Sequence, residues 1–305
     1  MARQREGLKI VAMVIARMGS TRVPGKSLFD LAGKPVVEHT IDIARQIPGV
    51  DEVALVTTNL DKDDPLAGLG ARAGVPVVRG HPEFVLDRIV QAIEECQADI
   101  IVYVGGDCPL LDPILIGDAI DRFFESGCDY LNNYDPPTFP EGLDVNVITR
   151  DAVLLAHANA LAPSQRIHAF SYLSLHPGSC RIDNFTHEPD LSQHHWSLDF
   201  PEDYEFLKLV YARLYRPGGV IRIDDVLALI ENDPEVAAAS AKLERPPVAH
   251  AFWNSPGIIR DMNADIIELC RQGHEAFARG DREMTHRCYK EVGLIAGALE
   301  QYASS

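Results

Sequence analysis

The chain has 305 residues, 46% of them hydrophobic, and a formal net charge of −17. That length fits one large domain, or one domain with an appendage, around a core of ordinary size. The acidic balance argues against nucleic acid or an anionic membrane as the main partner, since both require a basic face. Six scattered cysteines show no metal-ligand spacing, and neither a secretory nor a membrane-spanning pattern appears, so a reducing cytoplasm is the expected home.

An apolar run at 8–14 predicts a buried strand bounded by turn residues. It opens into Ile15-Ala16-Arg17-Met18-Gly19-Ser20-Thr21-Arg22-Val23-Pro24-Gly25-Lys26-Ser27-Leu28. A glycine-rich bend of this kind can turn the backbone N–H groups around Ala16, Gly19, Ser20 and Thr21 toward one anion. Arg17, Arg22 and Lys26 add positive charge and donors suited to phosphate oxygens. The alternative is a solvated surface turn. Two facts favour phosphate: ligands of open α/β sheets bind beyond the carboxyl ends of strands, and the first fifty residues carry eight basic against four acidic side chains in an otherwise acidic chain.

Spacing next predicts a helix at 36–45, a strand at 51–57, a helix at 64–73 and a strand at 75–78. A helix at 83–96, a strand at 99–104 ending in Gly105-Gly106-Asp107, and a helix at 113–126 follow. Such alternation implies a mostly parallel, Rossmann-like sheet with helices on both faces. Gly68-Leu69-Gly70-Ala71-Arg72-Ala73-Gly74 approximates a dinucleotide fingerprint but lies inside a helical pattern, where close helix–sheet packing explains it. Beyond 129 the pattern is irregular, with strands expected at 143–149, 180–185 and 196–199. Helices are expected at 150–159, 165–175, 202–214 and 223–231. A domain over 1–233 is then followed by a linker over 234–260, which contains Pro246-Pro247 and Pro256-Gly257. Residues 261–305 read as a helical hairpin, either a packed appendage or the contact of a homodimer.

Asp107, in Gly106-Asp107-Cys108-Pro109, and Asp199, in Leu198-Asp199-Phe200-Pro201-Glu202-Asp203, each end a strand pattern. Two aspartates converging near a triphosphate suit Mg2+, which takes one or two carboxylates and completes its shell with phosphate and water. Each could instead cap the helix that follows it. For Asp203, inside a first helical turn, stabilisation of the helix end suffices. His194-His195 forms no metal spacing, and packing explains it better.

Together these stretches resemble the cytidylyltransferase family, which includes enzymes making CMP-activated sialic acid and keto-deoxyoctonate. The SpsF-like branch, associated with spore-coat polysaccharide, is the most similar. The likeness runs from about Ile10 to Asp233 and includes Gly80-His81-Pro82-Glu83-Phe84-Val85-Leu86-Asp87-Arg88, Asp107-Cys108-Pro109-Leu110-Leu111-Asp112-Pro113 and Thr138-Phe139-Pro140-Glu141-Gly142-Leu143-Asp144-Val145. It implies a nucleotidyltransferase sheet, CTP over the first loop, and CMP transfer to an anionic acceptor in surface polysaccharide or modified glycan synthesis. Arg17, Ser20, Arg22 and Lys26 match triphosphate positions, Asp107 and Asp199 match magnesium positions, and Asp87 and Arg88 fall near the base. Acceptor contacts are implied around 134–144, with Glu141 and Asp144, and around the helix carrying Arg166 and His168. An Arg-Glu-x-x-His type motif is expected there, but Ile167 stands in the acid's place. A metal-dependent glycosyltransferase and a non-catalytic scaffold are the rival readings.

Overall fold

The computed structural model describes residues 3–20, 22–243 and 256–303. The N-terminal half alternates as its apolar spacing predicts. Strand β1 (Ile10–Ile15) leads to a short hairpin, β2 (Asp30–Leu31) and β3 (Lys34–Pro35), and then to helix α1 (Val36–Ala44). Next come β4 (Glu52–Thr58), α2 (Asp64–Ala73), β5 (Val77–Gly80), α3 (Val85–Cys96), β6 (Ile100–Gly105) and α4 (Pro113–Ser126). The less regular middle holds β7 (Tyr130–Asn132), β8 (Asn146–Thr149), α5 (Arg150–Asn159), α6 (Pro163–Ile167), α7 (Ser171–Leu175) and β9 (Ile182–Asn184). Helices α8 (Pro201–Leu214), α9 (Ile223–Asn232), α10 (Pro234–Ser240), α11 (Pro256–Ala278) and α12 (Arg282–Ala303) complete the fold.

Seven strands form one sheet in the order β5-β4-β1-β6-β8-β7-β9. β1 pairs in parallel with β4 and β6, while β8 runs antiparallel to β6 and β7. Alternation along β1 explains why both faces are covered. Ile10, Ala12 and Val14 enter a core shared with α1, α4 and α8, whereas Val11 and Met13 enter another shared with α3 and α5. Ile15 lies level with Val56 and Gly105, so three parallel strands end at one edge. Gly70 faces the sheet so closely that a Cβ would lie 2.7 Å from Val77 Cγ2, whereas Gly74 ends α2 in a left-handed turn (φ 71°), so packing and capping account for these two glycines. Among the described residues no helix is long and apolar enough to cross a membrane.

Several expected elements are corrected. Residues 196–199 form no strand, because Trp196 N donates to Glu141 O (2.7 Å) and Leu198 N to Asp107 O (2.9 Å), two different loops rather than one ladder. The helix expected at 165–175 breaks at His168, whose backbone (φ −103°, ψ 89°) ends α6. Part of the expected 234–260 linker is helical: Asp233 caps α10 by accepting from Glu235 N and Val236 N, Pro234 suits the first turn, and Val236 is fully buried. Residues 244–255 of that linker lie outside the described residues. The hairpin begins at Pro256, earlier than its apolar spacing predicts.

Candidate active site

The site is built where β1 and β6 end. Gly106 N donates to Ile15 O (2.9 Å), and a Cβ at Gly106 would lie 2.8 Å from Ala16 Cβ and 2.9 Å from Ile15 O. Only glycine lets the turn bearing Asp107 lie against the basic loop. Ala16 is buried beneath that loop, with its N–H donated to Val56 O (3.1 Å). Ser20 Oγ accepts from Val23 N (3.2 Å), and Gly25 takes a left-handed turn (φ 76°) into a single 3₁₀ turn that begins with Lys26. Thr21 lies outside the described residues.

Lys26, 8% exposed, ties the three pieces together. Its Nζ stands 2.5 Å from Asp107 Oδ2 and 2.9 Å from Asp199 Oδ1, and donates to Leu198 O at 2.6 Å. Arg22 Nη2 reaches Asp199 Oδ1 at 2.7 Å while its guanidinium lies over the Phe200 ring. Burial alone would push the Lys26 ammonium down, but the charges of Asp107 and Asp199 outweigh it and hold the pKa above its ordinary value. Burial would likewise raise Asp199, yet Lys26 and Arg22 leave it below the usual carboxylate range.

Capping falls to other acids. Asp112 accepts from Ile114 N and Leu115 N at the start of α4, and Asp203 Oδ2 accepts from Asp199 N (2.8 Å) and Phe200 N (2.7 Å) at the start of α8. Asp107 and Asp199 are thereby released to face Lys26. Two groups that sequence reading misses complete the cradle. Asp63, fully buried after β4, accepts from Met18 N (2.7 Å) and from the Thr58 hydroxyl. Lys62 places its ammonium over Gly19, where a Cβ would come within 2.9 Å of Nζ. Nothing local in Asp61-Lys62-Asp63 signals this; it follows from β4 lying beside β1.

Arg88, expected near a base, is 1% exposed and donates to His81 O (2.6 Å) and Pro82 O (3.1 Å), so it builds the 80–84 loop from within. Burial, with the Arg17 charge adding, lowers its pKa. Asp87 lies 3.2 Å from His157 Nε2 and 3.4 Å from Arg166 Nε.

The expected acceptor residues fall on a second wall. Gly142 packs so tightly on the 196–197 backbone that a Cβ would lie 2.5 Å from Ser197 N. Glu141 Oε2 pairs with the buried His195 Nε2 at 3.1 Å, which makes that histidine a packing residue. Asp144 opens on the cleft and feels Asp107 and Asp199. Crowding by protein, with those two charges adding and the Gly142 N–H opposing, pushes it up to about 6. Arg17 is exposed, and its charge reaches His168 as well as Arg88. His168 Nε2 lies 3.2 Å from Asp261 Oδ2 of α11.

Among the described residues no three His, Cys, Asp or Glu side chains gather as a metal cage. The pair Asp107 and Asp199 nevertheless suits magnesium, a hard ion that needs few protein oxygens when phosphates supply the rest.

The cytidylyltransferase family profile matches residues 11–213. The spore coat polysaccharide biosynthesis protein SpsF of Bacillus subtilis is 29% identical over 237 residues, spanning 75% of this chain and 96% of that protein. A 3-deoxy-manno-octulosonate cytidylyltransferase of Anaeromyxobacter is 32% identical over 174 residues, 54% of this chain and 69% of its own length. A solved cytidylyltransferase from Leptospira borgpetersenii superposes with a TM-score of 0.71 at 24% identity, covering 80% of this chain and 100% of that one. With a family match over more than half its length, the chain belongs to the cytidylyltransferase family and is a CTP-dependent enzyme of that class.

Proposed function

We propose that this enzyme transfers the cytidylyl group of CTP to an oxygen of a small anionic acceptor, a sugar acid, phosphate or phosphonate, and releases pyrophosphate. The observation that carries the reading is Lys26 joined to both Asp107 and Asp199 at the carboxyl ends of the sheet. The relatives that make polysaccharide precursors support a role in surface glycan synthesis. The free cysteines and the use of CTP support a reducing, nucleotide-containing compartment.

In this reading the acceptor oxygen bonds to the α-phosphorus as the bond to the β-phosphate's bridging oxygen breaks. Arg17, Arg22, Lys26 and Lys62 oppose the negative charge that gathers on the departing pyrophosphate. In the bend, the N–H groups of Gly19 and Ser20 would orient the triphosphate, those of Ala16 and Met18 being donated to Val56 O and Asp63. Asp107 and Asp199 would hold magnesium, which when bound neutralises phosphate charge and orients the α-phosphate. Asp144, exposed beside Asp107 and Asp199, can take the proton of an acceptor hydroxyl. Most of the rate comes from placement, since little covalent chemistry is left to the protein.

The test is pyrophosphate release from CTP against sugar acids, phosphosugars and phosphonates, with Asp107→Asn beside the parent enzyme. The variant is expected to lose at least about a hundredfold in turnover with unchanged circular dichroism. Full activity in Asp107→Asn would falsify the assignment of the acidic pair. Release of UDP from a nucleotide sugar, without pyrophosphate, would favour a glycosyltransferase instead.

A further inference from the structure

The C-terminal hairpin lies beyond the 11–213 family match, yet it docks on the wall assigned above to the acceptor. The docking is polar as well as apolar. Met262, Leu269 and Ile295 share a small core with Ala162 at the start of α6. Asp265 accepts from Ser164 N (3.2 Å), and Glu291 accepts from Gln165 and lies 3.0 Å from His176 Nε2. Asp265 and Glu291 are 2% and 5% exposed, so these bonds fix the orientation of α11 and α12 rather than merely decorate a surface.

This orientation carries Asp261 to His168. The contact is 3.2 Å long, and the two side chains are 19% and 22% exposed. The other oxygen of the same carboxylate accepts from Arg260 Nε (3.1 Å) and Nη2 (3.0 Å). Asp261 is thus clamped on one side and presents a fixed acceptor on the other. His168 stands at the break between α6 and α7, where no regular helix fixes its ring, and Arg17 of the phosphate loop acts on it from across the cleft.

We propose that Asp261 is a positioning residue of the acceptor site: it holds the His168 ring with Nε2 protonated and turned toward α11. The inference rests on the acceptor reading of His168 given above. A carboxylate that accepts from one imidazole nitrogen fixes which nitrogen carries the proton, and with it the face the ring shows to a substrate. The hairpin is then part of the acceptor pocket, and Arg260 and Arg17 give that pocket positive charge for an anionic substrate.

The experiment is a double-mutant cycle in the full chain, with Asp261→Asn, His168→Gln and the pair. It is assayed by pyrophosphate release with whichever of the sugar acids, phosphosugars and phosphonates supports turnover, and by ¹⁵N NMR of the histidine rings. Asp261→Asn should raise the acceptor KM about tenfold while leaving the KM for CTP within about twofold. The double variant should be no worse than His168→Gln alone, since Asp261 acts through that ring. Asp261→Glu should recover part of the loss. The NMR arm needs no acceptor: His168 should lose its fixed Nε2-protonated form in Asp261→Asn, and an unchanged ring spectrum overturns the proposal. Losses that simply add in the double variant overturn it too, because they mark a structural role. If His168→Gln leaves the acceptor KM untouched, the acceptor reading of that wall fails and the inference with it. If His168→Gln raises the KM and Asp261→Asn does not, only the assignment of Asp261 fails.

Discussion

In the proposed reading the basic cradle and the acceptor wall each hold an anion, and they are built in opposite ways. In the cradle, one contiguous bend supplies Arg17, Arg22 and Lys26, the turn after β6 supplies Asp107, and the loop before α8 supplies Asp199. Its charges neutralise one another through Lys26, so the arrangement is tight without outside help. On the acceptor wall three of the four expected residues are engaged in separate pairs, Arg166 with Asp87, Glu141 with His195 and His168 with Asp261, whereas the cradle's acids share the single hub Lys26. The cradle should therefore be brittle to single changes, and the wall should yield by degrees.

Lys26→Met should break the cradle most severely. It leaves Asp107 and Asp199 facing one another with only the exposed Arg22 as counter-charge. Removing one partner of a largely buried charge cluster costs on the order of 3 kcal/mol, and turnover should fall by at least about a hundredfold. Added magnesium should raise the melting temperature of the variant more than that of the parent, because it supplies the missing positive charge. Calorimetry at several magnesium concentrations reads both effects. An unchanged melting temperature in the variant would mean the two acids do not depend on Lys26.

A smaller effect is expected at Lys62, an exposed side chain whose ammonium stands over Gly19. Lys62→Ala should raise the KM for CTP about three- to tenfold, as loss of one exposed charge-assisted contact would. The acceptor KM and the melting temperature should hardly move. Should the acceptor KM move instead, Lys62 belongs to the other wall and the division between the two regions is drawn in the wrong place.

These residues also mark how far the sequence could be read. The cradle was legible because glycine, hydroxyl and basic residues follow an apolar strand without interruption, and because Asp107 sits at the end of the most hydrophobic run. Asp199 was legible for an imperfect reason: no strand ends there, and the residue reaches the site through the bonds of Leu198 to Asp107 and Lys26. Arg88 misled because a cation near a motif does not reveal whether it points into a wall or into a cleft. Lys62 and Asp63 were hidden because their nearness to Gly19 and Met18 is created by sheet order. Asp261 was further still from view, 93 positions from His168 and on the far side of an expected linker.

The mildest prediction concerns how the wall is braced. In His176 burial alone would lower the pKa, but the Glu291 carboxylate and the Tyr172 carbonyl outweigh it and leave the ring above its ordinary value of 6.5. A raised value in the folded state means the protonated ring is preferred there. Its contribution is complete below about pH 6.5 and fades as pH rises through the folded value. The hairpin should accordingly be held more firmly at pH 6 than at pH 8, by on the order of 1 kcal/mol for a largely buried pair. Burial drives His168 the other way, and Asp265 is raised by its own burial, so the difference between parent and Glu291→Gln is the informative quantity. Hydrogen exchange across α11 and α12 at the two pH values should show slower opening at pH 6 in the parent and a smaller difference in Glu291→Gln. Equal pH dependence in both proteins would remove His176 from the bracing of the hairpin and leave its docking to Asp265 and the small apolar core.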